Sequence, residues 1–171
     1  MTPLVSGWQL NSLLSRYSGT PFSVSASGTS LNATGNTQRA DQVKPTVAIL
    51  GGTGGGQSYF DPLAFAPVTA VRFGTAGYNT VRGPGTFNVD FGLVRNFKIG
   101  ERWEVQFRGE ALNLTNTPHF ANPNANVSNL QLNGDGSVRN LGGYTVISST
   151  TGVGREGIDE RVFRLGLRIR F

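Results

Sequence analysis

The chain carries one histidine, His119, and no cysteine, so acid–base or metal chemistry would have to come from very few groups. Thr117-Pro118-His119-Phe120-Ala121 sets no second titratable side chain beside that imidazole, and general-base work or zinc binding needs one. His119 reads as an ordinary loop residue near a strand rim. No serine stands in a Gly-x-Ser-x-Gly elbow, which removes that hydrolase reading. Gly51-Gly52-Thr53-Gly54-Gly55-Gly56 looks like a phosphate cradle. However, Gln57-Ser58 follow where a P-loop needs Lys and then Ser or Thr, to place an ammonium and a metal-ligating hydroxyl. The stretch reads as a flexible loop. Asn133-Gly134-Asp135-Gly136-Ser137 sets oxygen ligands on alternate positions, as calcium favours. It lacks the EF-hand length and terminal Glu and reads as a turn, with weak calcium binding as the alternative. Three Asn-x-Ser/Thr triplets, at Asn32, Asn113 and Asn126, need no explanation beyond chance in so Asn- and Thr-rich a chain. No enzyme, cofactor or metal is expected.

The other chemistry-bearing group is arginine. The net charge is +5, and Arg155, Arg161, Arg164, Arg168 and Arg170 crowd the end of the chain. Such a run could meet phosphates. Three of these arginines instead alternate with a wholly apolar set, and neither a helix nor an aromatic stacking platform accompanies them. Nucleic acid is not expected as a partner.

The elements that position these residues follow from composition. The 171 residues suffice for one domain. With 24 Gly, 8 Pro and lysine only at Lys44 and Lys98, an all-α fold is excluded. Aromatic residues make up 10%, which opposes disorder. No disulfide is possible, and no run of 18 apolar residues offers a transmembrane helix. Met1 to Gly7 has neither a charged start nor a long apolar stretch, so it does not read as a signal peptide.

Four strands are expected, near 5–17, 86–97, 103–113 and 161–171. Phe163, Leu165, Leu167, Ile169 and Phe171 alternate with Arg164, Gly166, Arg168 and Arg170. The same period of two runs through Trp103, Val105 and Phe107 and through Phe87, Val89, Phe91 and Leu93. A short Gly-containing turn at 98–102 makes a hairpin of the middle pair. The remaining connections, loops 25–84 and 114–160, are far longer than compact domains use. Short turns on one side, long loops on the other and apolar/polar alternation describe an outer-membrane β-barrel, whose strands need about 9–11 residues to cross. With the 98–102 turn periplasmic, Trp8, Phe97, Trp103 and Phe171 fall at one level as an aromatic girdle, and Phe87 and Phe163 mark the opposite rim. Setting Trp103 opposite Phe171 faces Glu104 with Arg170 and Glu110 with Arg164, a favourable cross-strand pattern that a one-residue slip would destroy. Asp90, Arg108, Glu110 and Arg164 are the candidate lumen-facing residues.

In their order, several motifs resemble the C-terminal end of TonB-dependent outer-membrane receptors, especially the Oar-like branch. They are Gly7-Trp8-Gln9-Leu10, Ser18-Gly19-Thr20-Pro21-Phe22, Phe60-Asp61-Pro62 with Ala64-Phe65, and Arg82-Gly83-Pro84-Gly85 running into Asn88-Val89-Asp90. Glu110-Ala111-Leu112-Asn113-Leu114-Thr115-Asn116, His119-Phe120 and Leu165-Gly166-Leu167-Arg168-Ile169-Arg170-Phe171 complete the series. Gln38-Arg39-Ala40-Asp41 departs from the Asn-Arg-Pro-Asp-like loop of that family, which also tends to have Phe near Leu112 and Thr115. The resemblance implies an all-β fold of antiparallel transmembrane strands, a partial barrel of about four long strands with long extracellular loops. The family's barrel of about 22 strands encloses a plug, and no plug segment is read in this chain. It further implies location in the bacterial outer membrane and energy-coupled uptake of a scarce solute of the siderophore, cobalamin-like or oligosaccharide class. The implied partners are outer-membrane lipid, the remaining strands and plug of the same receptor, the TonB system acting through that plug, and the barrel-assembly machinery. Phe163, Leu165, Leu167, Ile169 and Phe171 would be the signal that this machinery reads. Two alternatives stand beside this reading: a passive porin-like or adhesin barrel, and a secreted β-sandwich that buries the Phe163–Phe171 stripe in its own core.

Overall fold

The computed structural model describes residues 6–152 and 159–171. Val5 of the first expected strand and Arg155 of the basic run lie outside them. In chain order the strands are β1 (Trp8–Tyr17), β2 (Pro21–Phe22), β3 (Ser25–Ser27), β4 (Thr37–Arg39), β5 (Asp41–Gln42) and β6 (Phe65–Ala66). They continue with β7 (Val81–Arg82), β8 (Thr86–Ile99), β9 (Trp103–Leu112), β10 (Gln131–Leu132), β11 (Val138–Asn140) and β12 (Val162–Arg170). Two single 3₁₀ turns, Thr29–Leu31 and Val127–Asn129, are the only helical elements among the described residues. The fold is all-β.

The four long strands make one antiparallel sheet in the order β1-β8-β9-β12. Its register is the one that the charges favour, since Arg170 pairs with Glu104 and Arg164 with Glu110. Ile99 faces Trp103 at the end of the β8–β9 ladder, so β8 runs two residues past the expected 97. Gly100 starts the turn at φ +65°, a left-handed conformation that a residue without Cβ adopts freely.

Because directly paired residues share a face, the sheet sorts most of its residues by polarity, the exceptions including Arg16 and Arg95 on the apolar face and Leu13 and Val94 on the polar one. Leu10 and Leu14 of β1, Leu93 of β8, Phe107 of β9, and Leu165 and Leu167 of β12 share one face. That face is open: Leu10 is 63% exposed and Leu165 79%. A soluble sandwich would cover it, since burying each such side chain is worth about 1.5–3 kcal/mol, and the exposed Phe163–Phe171 stripe overturns the sandwich alternative.

By contact the chain divides into two compact units. The first holds the sheet: the described residues up to Tyr17, Thr86–His119, and those from Thr150 on. The second consists of the two long connections, Ser18–Gly85 and Phe120–Ser149. The continuous buried core lies wholly in this second unit, around Val24, Phe60, Phe65, Val81, Val127 and Tyr144. The stretches read as loops are therefore folded, with β2 on β7, β3 on β4, β5 on β6 and β10 on β11.

Candidate functional site

The polar face of the sheet gathers the residues expected to face the lumen. Arg108 and Glu110 sit two apart on β9 and form an ion pair, with Arg108 Nε 2.8 Å from Glu110 Oε1. Arg164 stands directly across the ladder from Glu110. Lower on the same face, Arg170 Nη1 lies 3.6 Å from Glu104 Oε2, and Gln106 Nε2 donates to Asn96 Oδ1 at 2.9 Å. Asp90 shares the face but has a structural duty. Its Oδ1 accepts from the Asn113 N–H and from Asn88 Nδ2, each at 2.9 Å. β9 ends beside it, so this carboxylate anchors the turn that leaves the sheet. Asn113 takes φ +47° there, and its buried amide binds both N–H and C=O of Thr117, a bond set that leaves no room for a glycan. Gln9, Asn11, Asp90, Gln106, Arg108 and Glu110 line a concavity of about 460 Å³. Lys98, Arg108, Arg164, Arg168 and Arg170 outnumber Asp90, Glu104 and Glu110 on this face, which tilts it toward anions.

The apolar face ends in aromatic rings. Trp103 and Phe171 pack with centroids 5.6 Å apart. The other two residues expected in the girdle, Trp8 and Phe97, are joined through a residue that the hydropathy pattern does not reveal. The guanidinium carbon of Arg95 lies 4.8 Å from the Trp8 ring centroid and 4.4 Å from that of Phe97, and Arg95 is only 5% exposed. Stacking on ring faces lets a cation sit on an otherwise apolar face. The available signal was parity: position 95 continues the Phe87 to Leu93 alternation, and only its residue type departs.

In the loop unit, Phe60 is fully buried, and its ring meets those of Phe22, Phe65 and Tyr144 at centroid distances of 5.8, 6.3 and 5.5 Å. The Ser18–Phe22 and Arg82–Gly85 motifs meet here, through the β2–β7 pairing. Gly83 N donates to Thr20 O, and Thr20 Oγ1 donates to Asn122 Oδ1 at 2.9 Å. A Cβ on Gly19 would lie 1.7 Å from the Gly83 carbonyl oxygen, a backbone approach that only glycine permits. Gly19→Ala should therefore lower the unfolding midpoint of this unit by well over about 5 °C, as a loss above 1 kcal/mol does in a domain of this size. Thermal melts followed in the tyrosine near-UV region would check it.

Two ion pairs brace the same unit. Arg72 grips Asp41 with both terminal nitrogens, at 2.7 and 2.8 Å, and Lys44 Nζ lies 2.5 Å from Asp61 Oδ2. The Arg72 hydrogen bonds outweigh the effect of burial and, with the Thr75 N–H, hold the Asp41 carboxyl below its ordinary pKa. Burial alone would raise Asp61, but Lys44 and the Leu63 N–H bring it below the ordinary value too. Each depressed carboxyl contributes stability that is complete above its unfolded pKa of about 3.9 and disappears as pH falls through the lower folded value. Asp41→Asn should accordingly lower the melting temperature at pH 7 and converge on the unsubstituted protein once pH falls below the lowered value of this carboxyl, as a pH series of melts would show.

The remaining candidates resolve into structure. His119 is a loop residue at the strand rim, as expected, and it is buried there. Its Nε2 lies 3.2 Å from the Phe87 carbonyl oxygen, and its N–H donates to Asp159 Oδ1 at 3.1 Å. The glycine run forms a turn of its own, in which Gln57 N donates to Gly54 O and Gly54 N to Gln57 Oε1. Asp135 Oδ1 is taken by the N–H and hydroxyl of Ser137, so the 133–137 segment is an Asx turn. No group of three or more His, Asp or Glu among the described residues is placed to hold a metal ion.

Against families of known proteins, the model of an outer membrane beta barrel domain matches residues 1–157. No curated protein and no solved structure matches the chain.

Proposed function

The chain belongs to the outer membrane beta barrel domain family, and from that premise we propose that it supplies four wall strands and the folded loops of a TonB-dependent receptor that takes up a scarce solute. Barrel strands of this family reside in the bacterial outer membrane, where the open apolar face meets lipid and the charged face lines the lumen. Four strands do not close a barrel, for which about eight is the smallest number, so further strands pair with the free edges of β1 and β12. The observation that carries the receptor reading is the loop unit: two long connections fold around one aromatic core, as a rigid capture surface requires and a simple pore rim does not. The solute, of siderophore, cobalamin-like or oligosaccharide class, binds at the loops. It then crosses the lumen when the inner-membrane TonB system pulls a plug that lies outside these residues. Trp8, Phe97, Trp103 and Phe171 form the periplasmic girdle, and the Phe163–Phe171 stripe is the assembly signal.

An antibody to the 87–113 hairpin, used on fractionated cells after formaldehyde cross-linking, tests this. The expected result is an outer-membrane band several times heavier than 18.2 kDa that shifts further with cross-linked TonB. A soluble band at 18.2 kDa would overturn the reading. An outer-membrane band that never cross-links to TonB would replace it with the passive porin-like or adhesin alternative.

A further inference from the structure

The loop unit holds a concavity of about 750 Å³ that plays no part in its core, within the size range of small-molecule sites. Leu31, Ala33, the run Asn36-Thr37-Gln38-Arg39, Phe73 and Tyr78 line it. Single exposed aromatic residues are common. Here two rings, 69% and 76% exposed, border one hollow together with Asn36, Thr37 and Arg39, while the Gln38 amide is buried and bonded to Ser27 and Ser30.

We propose that this hollow binds a soluble acidic oligosaccharide, the carboxylate of one sugar meeting Arg39, which Tyr78 holds by its ring face, while Phe73 offers its ring to the apolar side of the pyranoses. The proposal deepens the receptor reading and rests on it only for the compartment from which the ligand arrives. Three features carry it. A ring face beside short donors and acceptors matches a pyranose, which has an apolar C–H face and a polar hydroxyl rim. Arg39 is pre-positioned: its Nη1 donates to the Ala76 carbonyl at 3.1 Å, and its guanidinium lies 5.0 Å over the Tyr78 ring. A fork held in this way loses little freedom on meeting a carboxylate. Finally, the charge of the lining is positive. Among the described residues that border the hollow Arg39 alone is charged, and the nearby Asp41 is already closed off by Arg72. The sheet's polar face, taken by itself, shows the same cationic excess, which suits an anionic cargo.

Calorimetric titration of the full chain in detergent with trigalacturonate, neutral galactotriose and inorganic phosphate tests the proposal. The acidic trimer should bind about tenfold or more tightly than the neutral one, the scale of one charge-assisted bond, and phosphate should not compete. Arg39→Gln should erase that preference. Phe73→Ala, at an exposed ring whose loss leaves the core intact, should weaken both sugars about tenfold, with an unchanged melting temperature. Equal affinity for the two trimers, no binding at millimolar sugar, or equal competition by phosphate would each overturn it. Binding in detergent needs neither plug nor TonB, so it fails or succeeds independently of the cross-linking experiment.

Discussion

Phe60→Ala should unfold the loop unit and leave the four-stranded sheet standing. Phe60 is fully buried and stands among three other rings, those of Phe22, Phe65 and Tyr144. Removing a ring from such a site loses its transfer energy and opens a cavity, together about 3–5 kcal/mol, a large share of what holds any domain of this size. No residue of the sheet belongs to that core. Two sets of chromophores can report the units separately. Trp8 and Trp103 lie in the sheet, and Tyr59 and Tyr144 in the core of the loop unit. With Tyr17 of β1 replaced by Phe in both proteins, the tyrosine near-UV signal should vanish or melt far earlier while the tryptophan signal persists. Simultaneous loss of both would mean that the units do not fold separately, and Phe60→Leu should recover most of the difference.

Leu167→Arg should prevent insertion, whereas Arg168→Leu one position later should not. Leu167 sits mid-strand on the apolar face, paired with Phe107 and 67% exposed. At the membrane midplane an arginine on the lipid face costs about 2–4 kcal/mol. Position 168 lies on the opposite face beside Gln106, where an apolar residue replaces an exposed guanidinium. The measurement is the fraction of chain recovered in the outer membrane for the two variants. Equal recovery would mean that this face does not meet lipid.

The sheet was legible because nothing interrupts its logic. A strand solvated differently on its two faces must alternate, and β9 and the end of the chain do so across nine positions, Trp103–Ala111 and Phe163–Phe171. Charge then selected the register, through Glu104 with Arg170 and Glu110 with Arg164. Arg95 was missed because alternation was scored by hydropathy, and a guanidinium between two rings breaks hydropathy without breaking the face. The loop unit was illegible for a different reason. Its strands are two or three residues long, too short to show any period. Its core pairs residues as remote as Phe60 and Tyr144, which no local pattern connects. The Ser18–Phe22 and Arg82–Gly85 motifs could be seen but not interpreted, because the need for Gly19 arises from the Gly83 carbonyl, which lies far along the chain. The tightly bonded Asn113 turn shows the converse: a sequence triplet can be present while its geometry is already committed.

The core of the loop unit is written in two instalments. Val24 to Val81 come before the β8–β9 hairpin, and Val127, Tyr144 and Ile147 come after it. Each instalment is flanked on both sides by wall strands, so on the proposed topology each must be threaded across the membrane as an open chain. The head can then close only when the two halves meet outside. It is a structure built on site, not carried there, and its completion certifies that both pairs of flanking strands have been delivered.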